Sequence, residues 1–195
     1  MTNARDRQAA LEAMGLKHLP RAGWARVGVR SCDAHADAYD VSVESVAAHS
    51  WGVAMLALLR CPPELDRPRV LAMAILHDLA EVRVGDITPH DGVPADEKHA
   101  REREAIHAML GHRPDLLDLW EEAEAGVTAE SRFLKLLDRA DMGLQAERYM
   151  ARHHDVSEFL DGTREAREAM RTRADRLVHG SYFSNDSSHY FERQQ

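Results

Sequence analysis

Cysteine is almost missing from this sequence. The two present, Cys32 and Cys61, are too few for a disulfide framework in a chain of 195 residues, and both read as free thiols of a reducing compartment. Long apolar runs are missing as well. The longest, Val70 to Leu76, is far too short to span a bilayer, and the polar stretch Met1 to Gln8 lacks the apolar segment of a secretion signal, so the expectation is a cytoplasmic protein that does not engage membranes. With only 7 prolines and 11 glycines, a fibrous or linker-like chain is excluded. Positive charge is short too: 25 Lys and Arg against 33 Asp and Glu leave a net charge of -8. That balance argues against a broad surface for nucleic-acid polymers, which needs many cationic phosphate contacts. A small anionic ligand would need only a local cation or a few placed arginines.

Strand-like alternation of β-branched and aromatic residues is nearly absent, and alanine, leucine, glutamate and arginine dominate, so the expected fold class is all-α. The length suits one helical bundle, placed over residues 1–180, with a polar tail over 181–195. Apolar spacing predicts helices over about 4–14, 45–59, 67–82, 95–110, 114–126, 129–152 and 156–178. Gly15 closes the first of them, and Cys61-Pro62-Pro63 stops the second. Between them, residues 16–30 carry Pro20, two glycines and interleaved arginines, and read as an ordered cationic loop. Residues 31–43 look like an excursion, and 85–94 like a turn-rich loop.

Within this bland pattern three helices carry polar groups where core residues belong. His49 shares a face with Val46, Val53 and Leu56; His77 and Asp78 follow the apolar run Val70 to Leu76; Asp138 follows "FLKLL". Each such burial costs several kcal/mol unless the group is paired or bound to a metal. One histidine on an apolar face usually finds an ordinary hydrogen-bond partner. Four polar groups converging on one interior are harder to explain that way. Mixed imidazole and carboxylate donors suit a first-row divalent ion better than calcium.

In order, "ESVAAHSW", "AILHDLAEVRVGDITP" and "RFLKLLDRADM" resemble the His, His-Asp, Asp pattern of the HD-domain metal-dependent phosphohydrolases. With "LPRAGW" upstream and "DGVPADEKH" downstream, the sequence is similar to the HD domain-containing protein 2 and bacterial 5'-deoxynucleotidase group. The similarity runs over roughly residues 16–150. It implies one divalent metal ion per chain (Mn, Co, Mg, Zn or Fe) held by His49, His77, Asp78 and Asp138. It further implies Glu81 and Asp86 as the catalytic acidic pair, Arg21 as a phosphate contact, and a homodimer. The implied reaction removes phosphate from a (deoxy)nucleoside 5'-monophosphate by attack of a metal-activated water.

Several of these residues have ordinary readings beside the functional one. Glu81 could pair with Arg83 on the surface, Asp86 could simply form a turn after Gly85, and Arg21 could be a solvated loop charge. Asp86 is also placed near the leaving oxygen or the sugar. Trp24 is a candidate wall for the nucleoside or a plug at the edge of the core. Asp141, three residues after Asp138, is a candidate partner of a ligand rather than a ligand itself. Three other activities stay open: an HD-type nucleoside di- or triphosphate hydrolase, a di-iron HD oxygenase drawing on His90, His99, His107 or His112, and a non-catalytic nucleotide-binding module.

Overall fold

Caps and prolines set most helix boundaries. The computed structural model describes residues 4–29 and 43–171, so Arg30, Cys32, nearly all of the 31–43 excursion, the end of the last predicted helix and the polar tail lie outside the described residues. Helix α1 spans Ala4–Ala13 and tightens into a 3-10 turn over Met14–Lys17. Helix α3, Val46–Arg60, begins where the Ser45 side chain accepts from Ala48 N–H at 3.2 Å. Helix α4, Arg67–Leu76, is capped by Asp66 with Pro68 in its first turn. Helices α6, Ala95–Leu110, and α7, Pro114–Ala125, follow, and α7 ends at Gly126 with φ 62°. Helix α8, Ala129–Met150, is capped by Thr128. Among the described residues no strand forms; an isolated bridge joins Pro20 to Ser45.

Three segments differ from the sequence expectation. The arginine loop contains a short helix, α2, over Ala22–Arg26. Its first turn is capped from far along the chain, because Ala22 N–H donates to Asp86 Oδ2 at 2.7 Å. The helix expected over 67–82 stops at Leu76 and resumes only as the four-residue α5, Glu81–Val84. The cause is a competing donor: the indole N–H of the buried Trp120 takes the His77 carbonyl at 3.2 Å. Glu81 N–H bonds instead to Asp78 O at 3.1 Å, one residue nearer, and Leu79 and Arg83 make the same shortened pairing. Finally, the predicted last helix divides into α9, Ser157–Gly162, and α10, Arg164–Arg171. The buried Thr163 hydroxyl bonds back to Phe159 O at the break.

Helix α8 is the spine, packed against α3, α4, α7, α9 and α10. One apolar cluster fills the space among α3, α4, α7, α8 and α10, with Val53, Met73, Phe133 and Leu137 fully enclosed. A second unites Val46, Leu76, Ile106 and Trp120. The polar site sits between these clusters, which hold its helices at fixed separations.

Candidate metal centre

Tight packing brings three distant segments together here. His49 comes from α3, His77 and Asp78 from the shortened turns after α4, and Asp138 from α8. Ligand atoms of His49, His77 and Asp138 all lie within 4.8 Å of one another. The Nδ1 of His77 sits 3.0 Å from Ala74 O, and a carbonyl can only accept, so this nitrogen carries the hydrogen. The Nδ1 of His49 sits 2.8 Å from Asp141 Oδ2 and donates likewise. In the neutral rings both Nε2 atoms then hold lone pairs. Both are buried without a hydrogen-bond partner. Buried nitrogens with free lone pairs, converging on a carboxylate, fit a divalent cation; without one, a protonated His49 can turn its Nε2–H to Asp138 Oδ1, 3.0 Å away.

The fourth predicted ligand, Asp78, stands slightly apart from that trio. Its Oδ2 lies 3.3 Å from His77 Nε2 and 3.7 Å from His49 Nε2, and accepts from Arg21 Nη1 at 3.4 Å. In the metal-free protein burial works against its charge, but His77, Arg21 and His49 hold the Asp78 carboxyl below its usual range. Asp138 behaves similarly: burial opposes ionisation, and the bond from His49 with the nearby charges keeps it well below the carboxylate range. For His49, burial and Arg21 oppose protonation, yet Asp138 and Asp141 outweigh them and push its pKa up to about 10.

Around this core stand the groups that can work on a substrate. Glu81 is only 4% exposed, and its Oε2 has no hydrogen-bond partner. Burial, with Asp78 and Asp86 nearby, pushes its carboxyl up to about 10. Arg21 reaches Asp78 and, at 3.8 Å, Asp86. Burial opposes its charge, but the surrounding Asp78, Asp86, Asp138 and Glu81 hold it above the ordinary arginine value. Asp86 follows Gly85, whose φ of 82° turns the chain back toward the site.

Of the two readings of Trp24, the structure overturns the substrate wall and bears out the plug: the residue is 2% exposed, packs on Tyr149 and Phe159, and donates its indole N–H to Glu44 Oε2 at 2.8 Å. A ring enclosed in that way offers no face for stacking. It anchors the arginine loop to α8 instead.

The chain matches the HD domain family model over residues 13–174. It belongs to the HD domain family. The 5'-deoxynucleotidase HDDC2 of Homo sapiens is 36% identical over 156 residues, 76% of this chain and 71% of that protein. The Bos taurus protein of the same name is 39% identical over 139 residues, 69% of this chain and 62% of its own length. A solved structure described as a predicted metal-dependent phosphohydrolase, from Magnetospirillum magnetotacticum, superposes with a TM-score of 0.63 at 27% identity, covering 90% of this chain and 93% of that one.

Three contributors to the HD site escaped the sequence reading. Trp120 carries no signal in the sequence that sets it apart from other core residues, yet its indole N–H holds the carbonyl of His77. Gly52 lies on α3 where a Cβ would overlap the Asp141 carboxylate, so its missing side chain is what lets Asp141 reach His49. A lone glycine inside a helical pattern was the available signal. Lys98, on a helix rich in charge, lies 3.4 Å from the buried Glu102. Burial lowers its proton affinity, but Glu102, Glu81 and Asp78 raise it overall. Three of the four histidines considered for a second metal have other neighbours: His99 stacks on Trp120, His107 faces Glu121 and His112 faces Asp6. Among the described residues the trio above is the cluster that fits an ion.

Proposed function

We propose that this HD-domain protein is a metal-dependent phosphoric monoester hydrolase acting on deoxynucleoside 5'-monophosphates. The observation that carries the reading is the pair of buried, unpartnered Nε2 atoms of His49 and His77 facing Asp138, with an arginine beside them. The names of the relatives support the choice of substrate. His49, His77, Asp78 and Asp138 would hold one divalent ion. Bound there, it neutralises phosphate charge, acidifies a water and lowers the proton affinity of nearby carboxyls.

The chain's own residues supply the remaining chemistry. Arg21 is fixed between Asp78 and Asp86, aimed into the site, and its planar fork suits two phosphate oxygens at once. Glu81 has one free carboxylate oxygen, and once a bound ion offsets the burial and the neighbouring acids that raise its proton affinity, it is placed to take the proton of an attacking water. Attack on phosphorus breaks the bond to the 5'-oxygen, which leaves with the proton that Glu81 took from the water, as orthophosphate is released. Asp86 spends one oxygen on the α2 N-terminus and keeps the other toward Arg21. Its first task is therefore to hold the arginine loop.

The test is orthophosphate release from a panel of ribo- and deoxyribonucleoside mono-, di- and triphosphates, using stripped protein reloaded with Mn, Co, Mg, Zn or Fe. Metal-dependent release from deoxynucleoside monophosphates is the expected result. Release of pyrophosphate or triphosphate would move the assignment to a nucleotide-pool hydrolase, and silence with every metal would overturn a hydrolytic role.

A further inference from the structure

Behind His49, on the side away from the ligand trio, lies a cavity of about 580 Å³ that the reaction above does not use. Its walls are the turn after α1, the start of α3 and the second half of α8. That volume falls within the ordinary range for small-molecule sites. Two cations and an imidazole line it: Lys17, Arg148 and His18. Many arginines of this acidic chain sit on a carboxylate, Arg21, Arg69, Arg83, Arg101, Arg113 and Arg167 among them. Among the described residues, none of the three in the cavity has a carboxylate in ion-pair range.

The cavity's two acids face inward and are occupied. Glu44 Oε2 accepts from Trp24, and Asp141 Oδ2 accepts from His49. Trp51 completes the lining, and it is 66% exposed, the chain's other two tryptophans being buried. An exposed indole beside unmatched cations is a surface for a flat heteroaromatic ring joined to an anion.

We propose that this cavity is a second, non-catalytic nucleotide site that shares Asp141 with the metal centre. Trp51 stacks the base, while Lys17, His18 and Arg148 receive the phosphate. Because Asp141 lines the cavity and also fixes the ring of His49, an occupant that shifts this carboxylate changes how firmly His49 holds its ligand. Binding in the cavity stands independently of the proposed reaction; the coupling rests on the metal-centre reading.

Trp51 is the natural reporter. Full-length, metal-stripped protein, in which nothing is turned over, is titrated with dAMP, ATP and, separately, inorganic phosphate, while tryptophan emission and its quenching by iodide are followed. The expected result is saturable quenching by the nucleotides, with protection from iodide, and no response to phosphate alone. Arg21→Ala, which removes the phosphate contact of the metal centre, should leave that response in place. Arg148→Glu, an exposed substitution, should weaken it roughly tenfold or more, the size of one charge-assisted contact, while leaving metal-dependent turnover within about twofold.

Failure to quench at millimolar nucleotide would overturn the site. So would quenching that survives Arg148→Glu, which would put the nucleotide elsewhere. An equal response to inorganic phosphate would overturn the nucleotide class. Since binding is read without turnover, a failed phosphatase assay leaves this test intact, and a failed titration leaves the phosphatase assay intact.

Discussion

His49 is engaged at one ring nitrogen and open at the other, and much of the account can be tested on that residue and its neighbours. In the metal-free protein its pKa lies near 10, above the ordinary 6.5, so the proton stabilises the fold fully below about pH 6.5 and progressively less as pH rises toward 10. A metal needs the neutral ring. Loading at pH 7.5 should therefore release at least one proton per ion, and affinity should climb with pH up to about 10. Calorimetry in buffers of different ionisation enthalpy measures this directly; binding with no proton released would refute the His49 assignment. At Glu81, replacement by Gln should leave metal content intact and cut turnover roughly 100- to 10,000-fold, the usual worth of a general base. Asp78→Ala should lose metal and activity together. A metal-loaded, fully active protein from either variant would remove that residue from its role.

Elements place these residues, and the most informative ones are those the sequence pattern hid. Gly52→Ala pushes a methyl group into Asp141 and so moves the carboxylate that orients His49. Metal affinity should fall roughly 10- to 100-fold, as for other losses of a ligand's supporting partner. The stability cost should be about 1–3 kcal/mol, as in overpacked interiors. Trp120→Phe keeps most of the buried ring but frees the His77 carbonyl, and should cost about 1 kcal/mol with weaker metal binding. Unchanged affinity would show that the shortened turns after α4 do not depend on the indole. The helices themselves were largely legible, because period, caps and prolines act locally: Ser45, Asp66 and Gly126 mark the ends of α3, α4 and α7 where they fall. The break after Leu76 was not legible, since its cause is a donor 43 residues away. Trp24 was left between two readings for a similar reason. Nothing nearby in sequence announces Tyr149 and Phe159 as its packing partners.

For the whole molecule, an ion held by His49, His77 and Asp138 would also be a cross-link among three segments that otherwise bury unpaired polar atoms. A ligand that binds only the folded state stabilises it by about 2.7 kcal/mol at 100 times its Kd. In a protein of this size each kcal/mol is worth roughly 2–4 °C, so stripping the metal should lower the thermal midpoint by about 5–10 °C, and scanning calorimetry before and after chelation checks it. The convergence of the site could be anticipated because its residues are the polar exceptions on apolar faces. The second-rank groups, Lys98 and the cavity behind His49, could not, because a charged residue on a helix surface looks the same whether it meets water or a pocket. The most direct test of the central claim is orthophosphate release from dAMP by stripped protein titrated with a single divalent metal. The account predicts activity that rises from background and saturates at one equivalent per chain in the wild type and stays at background in His77→Ala. Equal activity with and without metal, or an active His77→Ala protein, would contradict it.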